Sequence, residues 1–336
     1  MLMPAMERSA ITVDMLPRVL FWDVLAFLCI LPIFRLYDHG KSGILDYAQV
    51  ISPAVCKIVA VLLTLYFLFA NINLISGFEV FSTTVVFPEL NSILFLILFA
   101  VVCGYIASLG LEAVARASSV VAVLAVVIVG LLLITLIPQV RKFNFTPLFY
   151  DGVQVPITAA LRSIANTTEI AAIAVVLPHV TGRVKRIYAA WAGGITVWII
   201  VLSFFAVGAL GAFATTQLFP FYTLAEIASA GIFQRLDSVM TSVWVACAVI
   251  KSGFLIYLAS DCVRRAIPKL GKNTSILLLS AVTVGCAAFI SLDEQRYVQM
   301  NNYTLSLIIF AVIVLVMPLT LLLLGAIRRR RKGEEG

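Results

Sequence analysis

Lys251 stands near the middle of Ser238–Ser260, a run with no other charged residue and long enough to cross a bilayer. An ammonium at that depth costs about 2.5–3.5 kcal/mol on insertion scales, so it must face a polar cavity or an opposite charge inside a helix bundle. A second unusual stretch reads Ala160-Leu-Arg-Ser-Ile-Ala-Asn-Thr-Thr-Glu169. There Arg162, Asn166 and Glu169 recur at i, i+4 and i+7 and fall on one helical stripe, with Ser163 and Thr167 on the next. The run Ser163 to Thr168 favours side-chain to backbone hydrogen bonds and predicts an unwound break in the helix. A break frees backbone N–H and C=O groups, which suit the carboxylate and amine of a small zwitterion.

Two readings of these residues stand side by side. In one, Arg162, Ser163, Asn166, Thr167, Thr168, Glu169 and Lys251 line a ligand site, joined by Tyr66, Asn71 and Asn73 from an earlier apolar span. In the other, an Arg162–Glu169 or Glu169–Lys251 ion pair merely locks helices together. Lys251 alone also admits two roles: an ammonium bonded to carbonyls of a neighbouring helix, or a stand-in for a coupling cation that removes the need for sodium. Asp23 falls near the start of its span and reads as a solvated or helix-start carboxylate.

The elements that must position these groups are membrane spans. The 336 residues are 62% hydrophobic and 12% charged, with a mean hydropathy of +1.07. Soluble domains carry about 25% charged residues, so the chain is an all-α polytopic membrane protein. The apolar runs are continuous rather than alternating, which argues against a β-barrel. Nine runs approach the length a span needs: 19–37, 55–78, 91–109, 117–138, 153–178, 187–211, 238–260, 274–292 and 304–327. The run 153–178 is the polar exception. Its eight Val, Ile and Leu residues between 157 and 177 favour insertion by roughly 2.4–4.8 kcal/mol, against roughly 5–7 kcal/mol opposing from Arg162 and Glu169. It must be enclosed by its neighbours, whereas the uncharged run 304–327 suits lipid. Residues 213–237, with Phe219, Tyr222, Leu224, Ile227 and Ile232 among polar residues, read as an amphipathic segment lying on the outer face.

Sixteen of the 24 Lys and Arg residues fall on one side if the C-terminal tail is cytoplasmic, and six on the other. That asymmetry puts the C-terminus inside. Residues 18–327 then form a single transmembrane domain, 1–17 an N-terminal remnant or loop, and 328–336 a basic cytoplasmic tail facing anionic lipid rather than nucleic acid. Six scattered cysteines form no CxxC pair, and His39 and His179 have no partners at ligand spacing, so no metal or other cofactor is expected. No P-loop, HExxH or GxSxG motif occurs, and no enzyme is indicated. Five spans lie in the second half and four in the first. If the halves are inverted repeats, the first half lacks its opening helix.

Gly110-Leu-Glu-Ala-Val-Ala-Arg116, where one span ends and the next begins, resembles the GLExxAR signature of endospore germination permeases. These are the B subunits of spore germinant receptors, within the amino acid–polyamine–organocation superfamily. Phe233-Gln-Arg-Leu-Asp237, followed by Trp244 and Lys251, resembles another element of that family. Phe87-Pro-Glu89 resembles a third, with Leu90-Asn91 in place of the usual Thr-Pro. The resemblance runs over about residues 19–330 and implies a five-plus-five inverted-repeat (LeuT-like) bundle with broken first and sixth helices, the run 153–178 being the sixth. It also implies a small germinant, often an amino acid, bound in the spore inner membrane, and partners in an A subunit and a C-subunit lipoprotein. Three functions follow as expectations: a nutrient germinant receptor subunit, a proton- or sodium-coupled amino-acid permease, or a non-binding scaffold.

Overall fold

In the computed structural model the chain is described over residues 14–39, 43–89, 91–146, 149, 152–217, 219–228, 236–291, 294–300 and 302–334. Residues 1–13, Lys41, Leu90 and the Phe233–Arg235 part of the second motif lie outside these, as do the tail side chains beyond Arg328.

Among the described residues all regular structure is helical. The helices are α1 Met15–Asp38, α2 Ile44–Ile51, α3 Pro53–Phe81, α4 Ser92–Leu109, α5 Leu111–Leu136, α6 Gln154–Ala165, α7 Glu169–Val176, α8 Val184–Leu210, α9 Pro220–Ile227, α10 Leu236–Ala266, α11 Lys272–Ser291, α12 Glu294–Met300, α13 Tyr303–Ala311 and α14 Met317–Glu334. Among the described residues eight helices or continuous helical runs are long and apolar enough to cross a membrane. The pair α6–α7, bent by 41° at its break, makes a ninth when counted as one span.

Local chemistry sets several boundaries. Ser52 accepts a hydrogen bond from the Ala54 N–H and is followed by Pro53, a residue suited to a first helical position, so α3 begins there. Asn91 caps α4, its Oδ1 accepting from the N–H groups of Ile93 and Leu94 at 3.0 and 3.1 Å. Gly110 turns the chain from α4 into α5 in a single residue with φ +92°, a conformation that favours glycine. The first family motif is therefore a tight turn, closed by an Arg116–Glu112 pair one helical turn into α5.

α10 packs against α3, α4, α5 and α11, while α1 lies on α6 and α8, and α13 on α6. The polar span is thus enclosed between α1, α13 and the α10 scaffold. α5 is its opposite, presenting Val120, Val123, Val127, Leu131 and Ile134 outward. Apolar side chains facing away from the bundle are what a lipid-contacting helix requires.

The segment after α8 departs from the expected surface helix. α9 turns Leu224 and Ala225 into a core cluster with Val129, Leu133 and Met240. Phe219 meets Phe81 edge-on at 5.0 Å. Its apolar face is buried against protein instead of lipid because α5, α8 and α10 leave a matching apolar groove there. Residues 218 and 229–235, with Ile232, lie outside the described part of this segment.

At the end of the bundle assigned to the inside by the Lys and Arg count, Lys185 pairs with Asp38 at 2.7 Å and Arg265 with Asp46 at 2.8 Å. Arg328 donates to the carbonyls of Val50 and Ile51, at the end of α2. Gly43, just before α2, lies so close to Pro178 that an added Cβ would sit 2.6 Å from the proline ring.

Candidate functional site

The break falls where the small polar residues are. Thr167 Oγ1 donates to the Ser163 carbonyl at 3.3 Å and Ser163 Oγ to the Ala159 carbonyl at 3.0 Å. These bonds draw the backbone away from regular helix. The Asn166, Thr167 and Thr168 N–H groups reach back only two or three residues, to Ser163, Ile164 and Asn166. No side chain caps the first turn of α7, so its leading N–H groups point into the break. From α1, Trp22 Nε1 donates to Thr167 Oγ1 at 3.0 Å and Arg18 Nη2 to Ser163 Oγ at 2.5 Å. The break is therefore held in its bent form by a neighbouring span.

Glu169 opens α7, an acid at the positive end of a helix. Lys251 Nζ donates to its Oε1 at 2.8 Å, joining α7 to α10. Of the two pairings open in the sequence, the structure forms this one. The two side chains remain 40% and 38% open, to internal cavities, so the pair does not fill the space it sits in.

A cavity of about 120 Å³ lies beneath α3. Tyr66, Asn73, Asn166, Thr168, Lys251 and Ser306 line it, with Phe69, Phe219 and Tyr297 among its aromatic walls. The Tyr66 hydroxyl and the Asn73 Oδ1 are buried there with no hydrogen-bond partner among the described residues. A buried polar atom without a partner costs roughly 1–3 kcal/mol, so a hydrogen bond gained at either oxygen is worth more than one at the surface. A second cavity of about 330 Å³ lies on the other side of the pair, between α1, α6–α7 and α8. Ser163, Asn166, Thr167, Glu169 and Lys251 line it together with Arg18, Trp22, Asp23, Tyr188 and Trp191.

Eight of the ten candidate residues thus gather around the two cavities. Asn71 and Arg162 do not. Asn71 is buried and donates to Thr283 Oγ1 at 3.4 Å, tying α3 to α11. Helical geometry explains why Asn73 lines the cavity and Asn71 does not. Seven residues carry a helix back to within about 20° of Tyr66, while five carry it about 140° away. Arg162 belongs to α6, and the three-residue interruption removes it from the register of Glu169. Its guanidinium lies over the Tyr303 ring, 4.7 Å from the centroid.

Four lining residues have no signal in the spans themselves. Phe219 and Tyr297 come from connecting segments, and Trp22 and Tyr188 acquire meaning only once α1 and α8 are adjacent. Asp23, expected at the interface, faces the larger cavity instead. Among the described residues no three His, Cys, Asp or Glu side chains gather closely enough to hold a metal ion. Chemically, the arrangement offers an ion pair, free helix-end groups and hydroxyls around a small space. It can bind a compact polar molecule.

Comparison with protein families gives one match, to the family described as spore germination protein, over residues 18–298. No curated protein matches the chain.

Proposed function

Because the chain belongs to the spore germination protein family, we propose that it is the membrane-embedded subunit of a nutrient germinant receptor and binds a small zwitterion, an amino acid, in the cavity beneath α3. The observation that carries this reading is the coincidence of three features: the helix break at 166–168, the Glu169–Lys251 pair beside it, and a small cavity with an unpartnered Tyr66 hydroxyl. A zwitterion brings a carboxylate for Lys251, which Glu169 holds from the far side of the cavity wall, and an ammonium for the Asn73 and Tyr66 oxygens. At about 120 Å³ the space favours a small side chain.

In this reading the chain sits in the spore inner membrane with its C-terminus cytoplasmic. It works with an A subunit and a C-subunit lipoprotein, and residues 18–327 form one transmembrane domain of the five-plus-five inverted-repeat kind. Occupancy of the break, rather than passage of the ligand, is the signal.

The test is binding and flux measured on the same preparation, using radiolabelled amino acids and the full chain in proteoliposomes. Saturable binding without uptake, weakened by Glu169→Gln in a folded protein, supports the receptor. Concentrative uptake driven by a proton or sodium gradient would replace it with the permease. Unchanged affinity in Glu169→Gln would remove the pair from the site.

A further inference from the structure

Asp23 lies about 12 Å into α1, counted from Met15 at the helical rise. An ionised carboxylate inside a span is expensive unless a partner neutralises it, and by default such a residue marks a site. Among the described residues Asp23 makes no ion pair and no hydrogen bond. Of the other charged groups lining the same cavity, Glu169 pairs with Lys251, and Arg18 donates to the neutral Ser163 hydroxyl. Asp23 is therefore the carboxylate of this wall that makes no ion pair with a basic side chain among the described residues.

Its surroundings say what that counter-ion should look like. Trp22, Tyr188 and Trp191 line the cavity with it, and Tyr188 lies within electrostatic reach of its carboxylate. The Tyr188 and Trp191 rings are neighbours, with centroids 5.8 Å apart. Aromatic faces attract organic cations through their negative π surface, and a carboxylate beside them supplies the full opposite charge. Beyond the rings the wall becomes aliphatic, with Ile195 and Ile199. At about 330 Å³ the space is nearly three times that of the cavity beneath α3. Trp191 is also 43% exposed, so this wall reaches the surface of the bundle.

We infer that this cavity is a second binding site, distinct from the one proposed beneath α3, which takes a primary organic ammonium carried on an apolar body with Asp23 as its counter-ion. Two sources share that chemistry: a free alkyl or aryl amine, and the headgroup of an aminophospholipid entering from the bilayer. The site is the reverse of the first in what it selects. It requires one charge and an apolar remainder, where the polar cavity requires both charges of a zwitterion and little else.

The test uses the full chain in phosphatidylcholine nanodiscs, titrated with hexylammonium, with hexan-1-ol as the same body lacking the charge. Binding is read by calorimetry and by tryptophan fluorescence. Hexylammonium should bind saturably and at least tenfold more tightly than hexan-1-ol. Asp23→Asn should weaken it at least tenfold while unfolding at an equal or higher temperature, because the substitution removes an uncompensated charge. Trp191→Leu, at the open rim, should weaken it several-fold.

Equal hexylammonium affinity in the wild type and Asp23→Asn would overturn the inference, as would equal affinity for the alcohol or the absence of saturable binding. A marked loss of stability in Asp23→Asn would also overturn it, since Asp23 would then have a structural partner. Adding phosphatidylethanolamine to the nanodiscs separates the two sources. A tenfold fall in apparent hexylammonium affinity assigns the site to the lipid, and no change assigns it to a free amine.

Discussion

The cavity beneath α3 and the cavity between α1 and α8 share Asn166 and Lys251 but are built from opposite materials. The first gathers small polar groups, some left without partners, inside a ring of aromatic side chains. The second spreads indole, phenol and aliphatic surface around carboxylates. In the first, affinity has to come from satisfying buried polar atoms, a term that punishes any ligand lacking the right group. In the second it has to come from apolar contact plus one charge, a term that tolerates variation in the body of the ligand. Under the two proposals a single ion pair thus stands between a selective chamber and a permissive one.

The sharpest way to break the comparison is to remove the dividing wall. Lys251→Met leaves Glu169 without its partner and should destabilise the protein by about 3–5 kcal/mol. Adding Glu169→Gln should restore most of that loss, as read by unfolding of the purified protein in detergent. A stable Lys251→Met single variant would show that the pair does not hold α7 to α10.

Tyr66→Phe sharpens the contrast from the polar side. Deleting a hydroxyl that has no partner should leave the unliganded protein as stable or about 1 kcal/mol more stable. It should weaken amino-acid binding about tenfold, or about 1.4 kcal/mol. Destabilisation of the unliganded form would mean the hydroxyl already has a partner.

Trp22→Phe keeps the ring but deletes the hydrogen bond to Thr167, at a cost of about 1 kcal/mol. Because the break borders both cavities, this variant should affect both ligands, whereas a change confined to one would place the bond outside the shared wall. The smallest effect belongs to Arg162→Gln, which loses a cation–π contact of roughly 0.5–1 kcal/mol and should leave amino-acid affinity unaltered.

Much of this plan is legible in the chain because membrane helices carry their constraints locally. Continuous apolar length marked the spans. The run Ser163 to Thr168 marked the break, since hydroxyl and amide side chains compete for backbone groups wherever they cluster. Lys251 stood out as the charge of an otherwise neutral run, while Glu169 had two basic residues open to it, Arg162 and Lys251. What stayed hidden depends on which helices become neighbours. Asp23 reads as an interfacial carboxylate until α8 is laid beside α1, and Phe219 reads as a surface aromatic until α9 is folded onto α3 and α10. Arg162 misled for a different reason: a stripe drawn at i, i+4 and i+7 assumes an unbroken helix, and the same residues that signal a ligand site interrupt it.

The close approach of Gly43 and Pro178 turns the bend into a lever. Eleven residues from Glu169 to His179, at the helical rise, form an arm of about 16 Å pivoting at the break. Each 10° change in the 41° bend would swing its far end by about 3 Å, and there Pro178 meets Gly43 with no room for even a methyl group. Motion of the arm toward α2 is not absorbed by slack at that joint. It is handed on to an eight-residue helix anchored by Arg265 and Arg328 at that end of the bundle, where a few ångströms of travel become visible to anything that rests on it.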